Sequence, residues 1–241
     1  MASSEHVEGL SLLDDARGAL NNSLREQQQA STPVLLLLSG GSSLALLEGQ
    51  EAAAIGSNVT IAPLDERYST NPEENNMAQI AATEFYRRAV ERGAHTIDTR
   101  VKEGESREDL AHRFNDALVE WIESHPNGKI IATTGIGPDG HVSGVMPYPE
   151  DAEGFTTRFD DQDNAHLVVG YDAGDKNQYP ERVTTTMNLI RKIDMAIAYV
   201  AGSGKKEAVR RVLSDEGSIA ETPARILKEI PGKVLLFTDQ V

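Results

Sequence analysis

Lys129-Ile-Ile-Ala-Thr-Thr134 runs directly into Gly135-Ile-Gly-Pro-Asp-Gly-His141, an apolar strand followed by a glycine-rich turn that sets a carboxylate and an imidazole two residues apart. Ile130, Ile131 and Ala132 read as a short buried strand. Gly135, Gly137 and Gly140 permit positive φ and close approach of a ligand where a side chain would obstruct. Open α/β sheets bind ligands beyond the carboxyl ends of their strands, and this turn lies at such an end. The competing reading is a tight turn in which Asp139 satisfies backbone amides and His141 lies at the surface.

Working outward, strands and helices alternate. Val7, Leu10, Leu13, Ala16, Leu20 and Leu24 recur at three- and four-residue steps and describe an amphipathic first helix, stopped by Pro33. Val34 to Leu38 is an unbroken aliphatic strand, followed by Ser39-Gly-Gly-Ser-Ser43 and a helical Leu44-Ala-Leu-Leu-Glu48. Val59 to Leu64 is a second strand and Asn75 to Arg92 a helix. Ser106-Arg-Glu-Asp109 resembles a capping box that opens a helix reaching Ile122. Strands at Lys129 to Thr134, Leu167 to Val169, Met195 to Val200 and Val234 to Thr238, with a helix from Lys205 to Leu213, complete the series. The alternation predicts an α/β fold with a mostly parallel sheet covered by helices on both faces, in one domain spanning residues 1–241. Pro147 to Gly154 and Asp160-Asp-Gln-Asp-Asn164 read as polar connections; the acidic run lacks the glycine and distal glutamate of an EF-hand calcium loop.

Composition narrows the function. The chain of 241 residues has no cysteine, which excludes disulfides and thiolate metal sites. The start lacks a basic and apolar leader, and Val34 to Leu38 is too short to span a bilayer, so the expectation is a cytoplasmic protein that does not engage membranes. A formal charge of −15, from 38 acidic and 23 basic residues, disfavours nucleic acid as a partner. An anionic small ligand requires a local cationic pocket, because repulsion from charges beyond about 8 Å is largely screened.

The cations beside glycine loops therefore matter most. Ser39-Gly-Gly-Ser42 offers Gly40 and Gly41 amides and the Ser42 hydroxyl to an anion at a helix start. It is neither a Walker loop nor Gly-x-Gly-x-x-Gly, so a nucleotide is not indicated. Asp65-Glu-Arg67 follows the second strand: Arg67 can fork onto phosphate oxygens, and Asp65 can orient a hydroxyl or move a proton. Arg182, before Val183-Thr-Thr-Thr186, and Lys205, after Gly202-Ser-Gly204, are further cations at element boundaries. Each of these groups also has a plain structural reading as a turn, a surface ion pair or a solvated charge.

Together these motifs resemble, in order and spacing, the 6-phosphogluconolactonase and glucosamine-6-phosphate deaminase superfamily across residues 34–240. The resemblance implies a modified Rossmann-like sheet, a phosphorylated sugar as ligand and no cofactor or metal. Its deaminase branch typically reads Asp-Glu-Tyr at the second motif and carries a glutamate before the proline that follows the histidine. Here Arg67 and Met146 stand at those positions, and the lactonase branch with its Asp-Glu-Arg is the better likeness. Val142, Gly144, Val145 and Met146 depart from the usual lactonase Thr-Ala-Ser-Leu-Phe, Leu44 stands where proline is common, and Glu74-Asn75 where Ser-Asn is usual.

The resemblance implies that His141 is the general base toward water, since an ordinary imidazole is largely neutral near pH 7. Asp139 then orients the ring and Asp65 holds sugar hydroxyls, while Gly40, Gly41, Ser42, Arg67, Arg182 and Lys205 hold a 6-phosphate. The expected substrate is a phosphorylated sugar lactone and the expected assembly a monomer or small homo-oligomer. The alternatives are an amino-sugar-phosphate deaminase or isomerase, and a non-catalytic sugar-phosphate sensor.

Overall fold

A computed structural model describes residues 11–51 and 54–240; Val7 and Leu10 of the expected first helix lie outside them. In chain order the strands are β1 (Val34–Leu38), β2 (Val59–Pro63), β3 (Asp65–Arg67), β4 (His95–Thr96), β5 (Lys129–Thr134), β6 (Val168–Asp172), β7 (Glu181–Thr185), β8 (Met195–Val200) and β9 (Lys233–Thr238). The α-helices are α1 (Leu12–Gln29), α2 (Asn76–Ala82), α3 (Glu84–Glu91), α4 (Arg107–Ser124), α5 (Ala152–Phe159), α6 (Met187–Ile190) and α7 (Lys206–Leu213).

The aliphatic run of β1 is explained by burial on both faces. Val34, Leu36 and Leu38 enter one core with Ala16, Leu20 and Leu24 of α1 and Phe85 and Ala89 of α3. Leu35 and Leu37 enter the other with Leu110, Phe114 and Leu118 of α4 and Val209 of α7. Each buried Val, Leu or Phe among them contributes on the order of 2 kcal/mol by leaving water. The resulting sheet has the order β4-β2-β1-β5-β8-β9, and every pairing in it is parallel.

That order sets where the sheet opens a crevice. From β1 the chain steps outward through β2 to β4, and from β5 it steps the other way through β8 to β9. The carboxyl ends of β1 and β5 therefore flank the reversal point, where the loops diverge and leave a crevice. Leu38 pairs with Thr133, and Ser39 N donates to Thr133 O at 3.2 Å, so the two glycine turns emerge side by side.

A second, antiparallel sheet of order β3-β7-β6 was not legible in the residue pattern. Its Val168, Tyr171 and Val183 share a core with the buried face of α4, which thus packs against both sheets. The Ser106–Asp109 capping box forms as expected, with both reciprocal hydrogen bonds present. Three local expectations need correction. Residues 75–92 form two helices, because Thr83 takes an extended ψ of 150°, donates to Ile80 O and accepts from Tyr86 N. The segment after Ser39-Gly40 is a 3-10 helix over Gly41–Leu47, so its anion-binding capacity lies in local amides and hydroxyls with little aligned dipole behind them. Part of the polar connection at Pro147 to Gly154 opens α5: Asp151 caps it, and Phe155 and Phe159, one turn apart, supply the buried face. The acidic run behaves as a connection, with Asp160 bound to Arg191 and Asp161 receiving the amides of Asp163 and Asn164. Among the described residues no helix is long and apolar enough to cross a membrane.

Because Phe114 is fully buried where α4 meets the parallel sheet, Phe114→Ala is expected to destabilise the fold by about 3–5 kcal/mol. Urea unfolding followed by circular dichroism measures this; an unchanged midpoint would show that α4 is not part of the cooperative core.

Candidate active site

The crevice at the reversal point is a cavity of about 180 Å³. Eight of the nine residues singled out in the sequence line it: Gly40, Gly41, Ser42, Asp65, Arg67, His141, Arg182 and Lys205. The ninth, Asp139, stands behind His141. A larger hollow of about 420 Å³ lies on the far side of the Gly41–Ser42 turn, lined by Leu44, Leu47 and Phe85. The smaller crevice, which His141 and three cations line, is the candidate chemical site.

The turn after β5 is held rigid by its own backbone and by its neighbours. Gly137 N donates to His141 O and Gly140 N to Gly137 O, both at 2.9 Å, while Ala224 N donates to Gly140 O at 2.9 Å. Lys205 Nζ donates to Ile136 O at 2.6 Å and Arg211 Nη2 to Asp139 O at 3.0 Å. Inside this frame His141 Nδ1 lies 2.7 Å from Asp139 Oδ1, which also accepts from His141 N at 3.1 Å. Position 137 must be glycine for this pair to form, because a Cβ there would stand 2.0 Å from His141 Nδ1 and 2.5 Å from Asp139 Oδ1.

Electrostatics set the tautomer. Burial opposes ionisation of Asp139, yet the hydrogen bonds and charge of His141 outweigh it and hold the carboxyl below its usual range. An ionised carboxylate only accepts, so Nδ1 carries the hydrogen and Nε2 of the neutral ring is left with a lone pair for chemistry. Burial pushes the Lys205 ammonium down, partly offset by the charge of Asp139.

The second sheet supplies the other wall. In the β3–β7 pairing Arg67 lies directly opposite Arg182, and Asp65 opposite Thr184. Like charges placed opposite each other on a sheet repel, and here both line one cavity. Arg182 Nη2 donates to Asp65 Oδ2 at 2.8 Å, a pair almost wholly buried on both sides. Arg67 donates Nη1 to Glu74 O at 3.1 Å and lies over the Tyr179 ring, 4.9 Å from its centroid. The Nε atoms of both arginines are buried with no partner among the described residues. Three cations against the single carboxylate of Asp65 make the cavity locally positive within a chain of formal charge −15. Such a wall suits an anion, and orphaned guanidinium donors match oxyanion geometry.

Sequence reasoning missed three residues. Asn76, at the start of α2, lines the crevice and donates Nδ2 to Asp65 O at 2.9 Å. Ser143 also lines it, with φ of 54°; its hydroxyl donates to Leu64 O at 2.9 Å and lies 3.0 Å from the hydroxyls of Thr184 and Thr185. Glu66 is fully buried and ties β3 to α2, accepting from Asn76 N at 2.6 Å, Met77 N at 2.9 Å, Thr99 Oγ1 at 2.8 Å and Arg67 N at 2.8 Å. Its place between Asp65 and Arg67, two residues already marked as chemical, was the available signal. The remainder of the divergent segment faces inward: Val142, Val145 and Met146 are all buried core.

The profile of the glucosamine-6-phosphate isomerases/6-phosphogluconolactonase family matches residues 9–236. Among solved structures, the chain is similar to a 6-phosphogluconolactonase from Shewanella baltica at 18% identity, with 95% of this chain and 93% of that one covered and a TM-score of 0.73. A 6-phosphogluconolactonase from Leishmania guyanensis is 22% identical over 99% of this chain and 96% of that one, with a TM-score of 0.68. One from Thermotoga maritima is 18% identical over 99% and 97%, with a TM-score of 0.67. At these identities the likeness establishes the fold. No match was found among curated proteins.

Glu66 generates a prediction independent of any activity. Burial pushes its carboxyl up to about 7, against four hydrogen bonds that favour the carboxylate. The folded protein thus holds this proton more tightly than the unfolded chain does. The stabilisation from Glu66 is complete below the unfolded value of 4.5 and is lost as pH rises through about 7. Unfolding free energies of the wild type and Glu66→Gln, measured in urea across this range, are expected to show a wild-type advantage that shrinks with pH by on the order of 3 kcal/mol. A pH-independent difference would contradict it.

Proposed function

The chain belongs to the glucosamine-6-phosphate isomerase/6-phosphogluconolactonase family, and within it we propose that this protein hydrolyses 6-phospho-D-glucono-1,5-lactone to 6-phosphogluconate, the lactone step of the pentose phosphate pathway. The observation that carries the proposal is the His141–Asp139 pair facing a cavity whose opposite wall presents Arg67 and Arg182. One end of such a site activates water, and the other holds a phosphate.

Met146 argues for hydrolysis over ring opening and deamination. A proton relay for ring opening needs a second acid beside the histidine. At the position where that acid would stand, Met146 is fully buried, its sulfur near Asn177 Nδ2 at 3.8 Å. Asp139 is the carboxylate that His141 contacts among the described residues, and it is engaged in orienting the ring.

A δ-lactone is an activated ester. His141 Nε2 takes a proton from a water whose oxygen forms a bond to C1; the carbonyl becomes an oxyanion and then collapses with cleavage of the bond from C1 to the ring oxygen. The imidazolium returns the proton to that departing oxygen, which becomes a hydroxyl, and Asp139 stabilises the imidazolium in the interval. The 6-phosphate is held by Gly40, Gly41 and Ser42 with Arg67, Arg182 and Lys205 as counter-charges, and Asp65, besides pairing with Arg182, faces the sugar hydroxyls. Fixing the remote phosphate positions C1 for attack, which converts binding energy into rate.

Two kinetic outcomes are expected. In a 6-phosphogluconolactone assay corrected for spontaneous hydrolysis, His141→Ala is expected to lower kcat roughly 100-fold or more with little change in KM; unchanged turnover eliminates the base assignment. Arg67→Ala is expected to raise KM for the phosphorylated lactone while leaving glucono-1,5-lactone nearly unaffected. Equal losses on both substrates would contradict the phosphate role.

A further inference from the structure

We infer that Asn76 is a specificity-determining residue that reads one ring hydroxyl of the substrate, an inference that rests on the phosphosugar-lactone reading above. Asn76 is 1% exposed yet lines the catalytic cavity. Its side-chain orientation is forced: Nδ2 donates to Asp65 O at 2.9 Å, and the opposite flip would set two acceptor oxygens against each other. Its backbone is fixed as well, because Asn76 N donates to the buried Glu66 carboxylate at 2.6 Å.

Oδ1 is consequently an aimed acceptor, and it has no partner among the described residues. It packs against Gly40, where a Cβ would come within 2.1 Å of it, so this placement of the Asn76 amide beside the first turn requires glycine at position 40. A buried amide oxygen without a donor is destabilising, and a ligand that supplies the donor is preferred to one that does not. An acceptor cannot bind phosphate oxyanion. The unpartnered Nε atoms of Arg67 and Arg182 are donors and suit the anion, whereas Asn76 Oδ1 requires a hydroxyl hydrogen, which the lactone carries at C2, C3 and C4. The cavity thus sorts ligands by both features at once: an anion for the arginines and a hydroxyl for Asn76.

The test is a double cycle of enzyme and substrate. Wild type and Asn76→Ala are assayed with 6-phosphogluconolactone and with its 2-, 3- and 4-deoxy analogues. For one analogue, wild-type kcat/KM is expected to fall about 10- to 100-fold. Asn76→Ala is expected to show a similar loss on the parent lactone and little further loss on that same analogue. Asn76→Ser, which also removes the amide oxygen, should reproduce the pattern if the alanine variant does not fold. Additive losses for all three analogues, equal wild-type rates across the series, or an unimpaired variant would overturn the inference while leaving the lactonase reading intact. A wild type that does not hydrolyse the parent lactone overturns that reading, and this inference with it.

Discussion

Everything at the site depends on the parallel pairing of β1 with β5. Val34–Leu38 is apolar on both faces because helices cover both, and this double burial holds the strand at the centre of the sheet. Its neighbours on either side belong to the two oppositely wound halves, so the loops after β1 and β5 part and leave a crevice between them. The hydrophobic pattern thus locates the crevice before any polar residue is considered.

On that scaffold the polar residues divide the labour by element. The turn after β5 is cross-braced by backbone and by Lys205 and Arg211, so that Asp139 and His141 meet without a search through rotamers. The opposite wall comes from the small antiparallel sheet, which sets Arg67 and Arg182 in register across one ladder. Two guanidinium groups facing one cavity form a destabilising arrangement that Asp65 relieves for Arg182 only. In the proposed function a bound phosphate completes the compensation. Positive charge concentrated here reconciles a chain of formal charge −15 with the anionic ligand of the proposed function.

Much of this was readable from the residues. The central strands, the two glycine turns and the Ser106–Asp109 cap follow from local pattern, and local pattern is where sequence is most explicit. The antiparallel sheet was not, because Asp65-Glu-Arg67 is three polar residues long and its partner Glu181–Thr185 begins with two charges; neither carries an apolar alternation. Their pairing is a long-range event, and α4 packs against β6 and β7 of the resulting sheet. The site residues missed share a cause. Glu66, Asn76 and Ser143 act through burial and hydrogen bonds to distant backbone, as when Ser143 reaches Leu64 O, and such partners have no signature in sequence spacing. The break at Thr83 is likewise a side-chain competition with the helix that the apolar period of residues 75–92 conceals.

The central claim is one of orientation: the phosphate lies against the arginine wall while the lactone carbon faces His141. A crystal structure of the protein with 6-phosphogluconate bound tests it most directly. The account predicts phosphate oxygens on Gly40, Gly41, Ser42 and the Arg67 guanidinium, with the product carboxylate within hydrogen-bond reach of His141 Nε2. A product bound in the reverse direction, with its phosphate at His141, or bound outside this crevice, would contradict it.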